Sequence, residues 1–335
     1  MTRYPHFMIN EIYEQPKCIA ATLKKHVHWS LDATSFKTIS HIVIVGCGSA
    51  YYAGLTAKSP LENQLKIPVD VVIASEFTHS SIINRHTLVI AISQSGETGD
   101  THDAIRYAKK NGARTMAILN VKNSTIAKYA DTVLYTEAGN EKSIAATKSF
   151  TTQLLVLYLL GNQVGLTKLP ALMKATLSCN ALVASIAKKY HNARNVILLG
   201  RGNHYPIAHE AALKLKETSY IPSEGFPTRE FKHGPMALVD SHSLVIAIAP
   251  KDNFYSDSMR IIKTIKSYGA PIIGITTKGN LDLKRHTSDV IYIPKCSNSL
   301  APFLTIIPLQ LFAYHMAVLN GLDVDHPRHL TKAII

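Results

Sequence analysis

The chain contains two copies of one sequence pattern, and this internal repeat constrains its fold more than any other feature. A run of β-branched and apolar residues ends in Gly-Cys-Gly at 46–48, and a second such run ends in Gly-Arg-Gly at 200–202. Three further landmarks follow in the same order, with an offset that grows from 154 to 158 residues. They are residues 88–92 with 244–248, Gly112 with Gly269, and 131–135 with 289–293. The sequence therefore predicts two copies of one domain.

Each copy alternates short apolar runs with amphipathic segments, as at residues 101–111 and 256–268. Runs that are apolar throughout are typical of strands buried on both faces, which occur in parallel sheets covered by helices. We therefore predict an α/β fold with a first domain over residues 1–172, which includes an N-terminal helical segment. A second domain is predicted over 173–316 and a C-terminal tail over 317–335. Pro60 interrupts the first helical pattern and predicts a kink or an early break.

The composition of the 335 residues excludes several classes of protein. With 46% hydrophobic and 18% charged residues, the chain is not an intrinsically disordered protein. Its four cysteines form no CxxC pair, so neither a zinc site nor a disulfide framework is predicted. The net charge of +13 arises from dispersed basic residues without an arginine-rich tract. This dispersion favours solvated helix faces and a site for an anionic substrate over nucleic-acid binding.

Neither a membrane span nor a signal peptide is predicted. The window that we identify as most apolar, residues 154–160, is far shorter than a bilayer requires. The first sixteen residues lack the apolar core of a signal peptide. We therefore expect a cytoplasmic protein.

Hydroxyl side chains concentrate directly after the apolar run at 88–92, where a helix is predicted to begin. Unpaired backbone N–H groups and the helix dipole favour an anion at such a place, and hydroxyls add neutral donors. We interpret the loop as a phosphate site; the alternative is an ordinary Ser/Thr N-cap, which needs only one such side chain. The matching loop of the second copy, residues 249–252, has no hydroxyls. The candidate residues are Ser93, Gln94, Ser95 and Thr98.

The glycine turn at residues 46–50 is a second candidate segment of the same site. It lacks the GxGxxG spacing of a dinucleotide-binding loop, and no acidic residue ends a second strand at the expected distance. We interpret it as a turn that supplies Ser49 and backbone donors to a shared ligand. Cys47 is expected to pack rather than to act as a nucleophile, because no basic residue is adjacent to it.

Charged residues with helical spacing form a third candidate segment. Glu210, Lys214 and Glu217 can share one face of a helix, although a charged stripe of this kind is usually solvated. His233 precedes Gly-Pro, and this forced turn fixes the imidazole on a rigid loop.

Several of these motifs, taken in order, resemble the sugar-isomerase (SIS) family. The likeness runs from residue 11 to the C-terminus, and it is strongest for the isomerase half of the enzymes that form glucosamine 6-phosphate, without their glutaminase. The resemblance implies two tandem SIS domains of flavodoxin-like, three-layer αβα architecture, a C-terminal active-site tail and a homodimer. The motifs are SQSGET at 93–98, KLKE at 214–217, KHGP at 232–235 and DVDHPRHLTK at 323–332.

The resemblance also implies a role for each candidate residue. Glu217 resembles the base that moves a proton between C1 and C2 of the sugar, with Lys214 beside it. His233 resembles a ring-opening acid/base that is contributed across a dimer interface. Neither a metal nor an organic cofactor is implied. The residues implied to bind the sugar phosphate are Cys47, Gly48, Ser49, Ser93, Gln94, Ser95, Thr98, Ile144 and Ala145.

Lys332 resembles the lysine that forms a Schiff base with the ketose. A charged ammonium cannot attack a ketone, so this role needs the tail to fold over the sugar site. We expect desolvation and the neighbouring Lys214 to favour the neutral amine there. We also expect the apolar residues 333–335 to anchor the tail.

The sequence departs from the family pattern at two positions, and it leaves three functions open. Ala50 and Ala146 stand where family members commonly carry serine, so the exact sugar phosphate is open. The first function is formation of glucosamine 6-phosphate from fructose 6-phosphate and ammonia, with a separate ammonia source. The second is the reverse type of reaction, by a glucosamine-6-phosphate deaminase or a fructosamine-6-phosphate deglycase. The third is a sensor of sugar phosphates, which would need none of the proton-transfer residues.

Overall fold

The structure is a computed structural model, and it describes residues 4–26, 38–80 and 82–332. By its internal contacts the chain divides into two compact units. The N-terminal unit comprises residues 14–167 and 331–335, and the C-terminal unit comprises residues 1–13 and 168–330.

These units differ from the domains predicted at 1–172, 173–316 and 317–335 in the placement of the chain ends. The first residues of the chain group with the second sheet because Asp325 binds them. Its carboxylate accepts the backbone N–H groups of Phe7 and Met8 at 2.7 and 2.8 Å. Most of the predicted tail, up to Leu330, therefore belongs to the C-terminal unit.

The N-terminal unit contains a five-stranded parallel sheet. Its strand order is β2-β1-β3-β4-β5, the doubly wound order in which β1 and β3 flank the point where the chain changes direction. Strands β1 and β3 pair directly; for example, Ile44 of β1 lies opposite Ile90 of β3. The strands are β1 (His41–Gly46), β2 (Val69–Ile73), β3 (Thr87–Ser93), β4 (Arg114–Leu119) and β5 (Thr132–Tyr135).

Helices cover this sheet because its strands are apolar on both faces. Valines and alanines of β1 and β3 pack with the apolar faces of the helices that follow β2 and β3, for example Val89 with Ala104 and Phe77. The helices are α1 (Phe7–His26), which continues into the residues of this unit, α2 (Ser49–Leu65), α3 (Ala74–Ser80), α4 (Gly99–Lys110), α5 (Thr125–Tyr129) and α6 (Lys148–Leu160).

The predicted break at Pro60 is wrong, because α2 continues through this residue to Leu65. Pro60 is buried together with Ala57 and Leu61. The side chain of Gln163 also donates a hydrogen bond to the Pro60 carbonyl at 3.2 Å. Burial of this face therefore compensates for the backbone N–H that proline lacks.

The C-terminal unit repeats the same architecture. Its five parallel strands have the order β10-β9-β8-β6-β7, so β6 and β8 correspond to β1 and β3. The prediction of two α/β domains with parallel sheets is confirmed. The strands are β6 (Val196–Gly200), β7 (Ser223–Pro227), β8 (Leu244–Ile248), β9 (Ile272–Thr277) and β10 (Asp289–Ile293); the helices are α7 (Leu169–Thr176), α8 (Asn180–Tyr190), α9 (His204–Ser219), α10 (Tyr255–Ser267) and α11 (Ala301–Leu319).

Among the described residues, α11 is a longer uncharged apolar segment than the window at residues 154–160 to which the sequence points. Its nineteen residues include no Asp, Glu, Lys or Arg. By length and composition, α11 and the helical stretch Leu166–Tyr190 would pass as membrane spans. However, 83% of the most apolar window of α11 is buried within the protein, as in the core helix of a globular unit. The second stretch consists of short helical turns and carries several lysines.

Candidate functional site

The hydroxyl-rich loop lies at the carboxyl edge of the N-terminal sheet, directly after β3. The buried Ser93 Oγ is 3.0 Å from Thr98 Oγ1 and accepts the backbone N–H of Gly96 at 2.9 Å. Ser95 Oγ accepts the N–H of Glu97 at 3.1 Å. The hydroxyls therefore hold a compact turn in front of α4.

Gly96 is required by the shape of this turn. Its φ of +70° lies in the region that favours glycine, and a Cβ atom at this position would lie 2.1 Å from Ser124 Oγ. The carbonyl of Gly96 accepts the N–H of Ile126 at 3.0 Å, and the carbonyl of Gln94 accepts the N–H of Asn120 at 3.2 Å. The loop after β4 thus fixes the backbone of the candidate phosphate loop.

The alternative interpretation, in which one Ser or Thr side chain of this loop simply caps α4, does not fit the start of that helix. Thr98 occupies the N-cap position with an extended backbone, but its side chain makes no capping hydrogen bond. The adjacent Glu97 carboxylate turns to Thr125, whose hydrogen bonds hold the pKa of Glu97 below its ordinary value. The start of α4 therefore keeps backbone donors for an anion.

The glycine turn after β1 faces the same edge of the sheet. Gly48 has φ of 53° and precedes α2, whose first residue is the buried Ser49. Cys47 Sγ lies 3.9 Å from Thr101 Oγ1, and burial raises the pKa of this thiol. A thiol that is packed in the interior has a raised pKa, whereas a nucleophilic thiol has a lowered one. Ala50, which replaces the family's serine, is half-buried in the first turn of α2.

Glu141 is the residue that sequence reasoning missed. Its side chain is fully buried, and its carboxylate accepts the N–H groups of Thr147 and Ser149 at 3.0 Å each and the Ser149 hydroxyl at 2.6 Å. It thereby caps α6. Burial acts to raise the pKa of Glu141, but Lys332 and these hydrogen bonds outweigh it and lower that pKa. In the sequence, the only indication of this capping role is that an acidic residue precedes an apolar helical segment by a few positions.

Lys332 forms an ion pair with Glu141 inside the N-terminal unit. Its Nζ atom lies 2.8 Å from Glu141 Oε2 and 2.6 Å from the carbonyl oxygen of Ser143. The partner of Lys332 within this unit is therefore a carboxylate. Ile144 is half-buried and Ala145 is fully buried in the segment that receives this lysine. The expected anchor at 333–335 lies outside the described residues.

Lys214 and its two acidic neighbours lie on α9 of the C-terminal unit. Lys214 Nζ is 2.5 Å from Glu217 Oε2 and 3.5 Å from Glu210 Oε1. Lys214 and Glu210 are fully buried, whereas Glu217 remains 21% exposed. This stripe is therefore not a solvated helix face. Glu217, which is partly open to solvent, is therefore paired with a buried lysine.

His233 lies on the surface of the C-terminal unit, at the end of the 3-10 turn Glu230–Lys232. Its backbone N–H bonds to the Glu230 carbonyl at 2.9 Å, and Gly234 follows with φ of 135°. The turn thus presents the imidazole outward from the unit. Among residues 4–26, 38–80 and 82–332, no cluster of His, Cys, Asp or Glu is arranged to hold a metal ion.

Two doubly wound parallel sheets, the first with a hydroxyl-rich loop at its carboxyl edge, define a tandem α/β protein. Comparison with protein families matches the SIS domain model to residues 35–162 and 189–320. The chain therefore belongs to the SIS domain family.

Similar proteins carry one recurring name. Glutamine–fructose-6-phosphate aminotransferase (isomerizing) of Caldanaerobacter subterraneus is 41% identical over 99% of this chain, and that of Aquifex aeolicus is 43% identical over 99%. The chain spans 59% and 58% of the length of these two relatives. A solved structure, the C-terminal domain of glucosamine-fructose-6-phosphate aminotransferase from Francisella tularensis, is 36% identical with a TM-score of 0.91. It is matched over 97% of this chain and 99% of its own.

Proposed function

We propose that this chain forms glucosamine 6-phosphate from fructose 6-phosphate and ammonia. The observation that carries this proposal is the placement of Lys332 beside the candidate sugar segment at 144–145, in the same unit as the hydroxyl-rich loop. A module that only senses a sugar phosphate has no use for an amine there. The names of the similar proteins support the same reaction.

The phosphate of the sugar binds the turn between β3 and α4. Ser93, Ser95 and Thr98 supply hydroxyls, and the start of α4 supplies backbone N–H groups and a favourable dipole. No cation is needed for such a site. Ser49 and the backbone of Cys47 and Gly48 complete it from the loop after β1, since β1 and β3 flank the topological switch point.

Lys332 binds the ketose covalently in this proposal. The neutral amine adds to C2, a bond forms between Nζ and C2, and the ketone oxygen leaves as water. Ammonia then replaces Lys332 at C2 and releases the lysine as an amine. The product of these steps is the imine of fructose 6-phosphate.

Glu217 moves the proton that turns this imine into an aldose. The carboxylate takes a proton from C1 and delivers it to C2, while the proton of the C1 hydroxyl passes to the nitrogen. Lys214 Nζ lies 2.5 Å from Glu217 Oε2 and positions this carboxylate for its role as the base. His233 opens the sugar ring, and its exposure fits a residue that serves the site of a second subunit in a homodimer.

The direction of the reaction is tested by product analysis. The purified chain is incubated with fructose 6-phosphate and ammonium chloride, and separately with glucosamine 6-phosphate. We expect net formation of glucosamine 6-phosphate in the first mixture. Net release of ammonia from glucosamine 6-phosphate, with no synthesis, would instead identify a deaminase, and no reaction in either mixture would leave a sensor.

A further inference from the structure

The ammonium group of Lys332 has an acceptor for each of its three N–H bonds. Glu141 Oε2 lies at 2.8 Å, the carbonyl oxygen of Ser143 at 2.6 Å and that of Ile144 at 3.5 Å. A neutral amine has only two N–H bonds, so one of these acceptors would lose its donor. The arrangement therefore selects the protonated lysine, which cannot attack a carbonyl group.

We propose that Glu141 is the positioning residue for Lys332: it holds the end of the chain on the N-terminal unit with the lysine protonated and unreactive. The contact between Lys332 and Glu141, and its role in holding the tail, do not depend on the proposed reaction. The consequence for catalysis rests on the proposed function, because Lys332 must leave Glu141 before it can form an imine.

Glu141 is suited to a contact that forms and breaks. A buried carboxylate whose cation leaves is usually destabilised strongly. Here Oε1 still accepts the N–H groups of Thr147 and Ser149 at the beginning of α6, where the helix dipole also favours a negative charge. The carboxylate therefore remains compensated when Lys332 moves away.

The segment that receives Lys332 is joined to the candidate phosphate loop by hydrogen bonds. Asn120 donates its backbone N–H to the Gln94 carbonyl at 3.2 Å. The side chain of Asn120 donates to the Gly139 carbonyl at 2.8 Å and accepts the N–H of Ala138 at 3.1 Å. Glu141 follows two residues after Gly139. The candidate phosphate loop and the segment that holds the lysine are thus connected through Asn120.

The acylation rate of Lys332 tests this assignment without any sugar. The full chain is treated with N-hydroxysuccinimidyl acetate at pH 8, and the modified Lys332 peptide is quantified by mass spectrometry. Glu141→Gln removes the charge but keeps the shape, and we expect it to raise the rate several-fold, because a neutral amide holds the ammonium group less strongly than a carboxylate does. Glu137→Gln is the matched control, since Glu137 lies in the same segment and pairs with Lys25 on the surface. An equal rate in wild type and Glu141→Gln would overturn the proposal.

A second variant guards against loss of the α6 cap. Lys332→Gln leaves Glu141 and its contacts with α6 in place. We expect faster amide hydrogen exchange at residues 329–332 in this variant, by several-fold, with unchanged exchange in α6. Unchanged exchange at 329–332 would show that the ion pair does not hold the tail, and the proposal would fail.

Borohydride trapping separates this proposal from the proposed function. With fructose 6-phosphate, wild type is expected to form a covalent adduct on Lys332, and Glu141→Gln is expected to form it faster because its lysine is no longer held by the carboxylate. If acylation and exchange respond as expected but wild type forms no adduct, the Schiff base is wrong and the role of Glu141 stands. If the adduct forms equally fast in both proteins, the positioning role is wrong.

Discussion

The two units share one topology, yet their switch points differ. In the N-terminal unit the loops after β1 and β3 carry serines, a threonine and glycines, without a basic residue. In the C-terminal unit the corresponding place is filled by the protein's own side chains. Arg201 Nη2 lies 3.2 Å from Asp257 Oδ2, and the Arg201 guanidinium stacks 4.9 Å from the Phe254 ring centroid. Phe254 also covers Gly202, where a Cβ atom would lie 2.6 Å from the ring.

The first helix after each switch point differs between the copies in its buried charged residues. An offset of 154 residues aligns Tyr51 with Tyr205, and it places Pro60 and Asn63 of α2 opposite Lys214 and Glu217 of α9. The buried ion pair is therefore present in one copy and absent from the other. The comparison leads to a prediction that the two copies have divided their work: we expect the anion site in the N-terminal unit and the proton-transfer pair in the C-terminal unit.

The largest expected effect is a loss of proton transfer by the C-terminal unit, with binding of the sugar phosphate unchanged. Glu217→Gln retains the shape of α9 but removes the base, so we expect kcat for fructose 6-phosphate to fall by about 10²–10⁴-fold with little change in KM. Steady-state kinetics measures both constants. Glu224→Gln, an exposed carboxylate on β7 of the same unit, is the control and keeps wild-type kinetics. A Glu217→Gln enzyme of normal kcat would refute the division of roles.

The next effect concerns His204, which aligns with Ala50 of the first copy at the repeat offset of 154 residues. Burial lowers the pKa of His204 to about 4, and its Nδ1 atom lies 3.2 Å from Thr305 Oγ1. Because the unfolded chain binds this proton near pH 6.5, stability is lost as the pH falls from 6.5 towards 4, by about 3 kcal/mol. Urea unfolding as a function of pH should show this slope for wild type and not for His204→Gln. The exposed His242→Gln is the control and keeps the wild-type slope.

A smaller effect tests the shape of the phosphate loop in the N-terminal unit. Gly96→Ala places a Cβ atom against Ser124 at a positive φ, so we expect a loss of about 2 kcal/mol or more in the free energy of unfolding. Gly139→Ala is the matched control, because its φ is +67° and no atom lies within 4 Å of the added Cβ. It should cost about 1 kcal/mol, from backbone strain alone. Equal losses in the two variants would mean that the close packing of Gly96 is unimportant.

The smallest effect compares the two loops as anion sites. The double variant Ser95→Ala, Thr98→Ala loses two hydroxyl donors, and we expect its Kd for fructose 6-phosphate to rise by about tenfold or more by calorimetry. Lys251→Ala removes a cation from the equivalent loop of the C-terminal unit and should leave the Kd unchanged. If Lys251→Ala weakens binding and the double variant does not, the phosphate has been assigned to the wrong copy.

Features that are local in the chain were predictable from the sequence. The apolar runs and the repeat of their glycine landmarks predicted two parallel α/β sheets, because strand burial and strand-to-helix turns leave a signal within a few residues. The hydroxyl-rich loop was recognisable for the same reason, since Ser93 to Thr98 are contiguous. Pro60 misled the prediction, because its local penalty is offset by packing that only the fold supplies.

Tertiary structure alone decided the environment of the charged groups. Nothing near position 141 in the sequence points to Lys332, which lies 191 residues away and meets it at 2.8 Å. The burial of Lys214 between two carboxylates was equally hidden, because the same spacing on an exposed helix would give an ordinary solvated stripe. The sequence determined the repeat, the apolar strands and the contiguous hydroxyl-rich loop, because each of these leaves a local pattern. Tertiary packing determined the partners and the burial of the charged groups, because both depend on everything packed around a group and not on its neighbours along the chain.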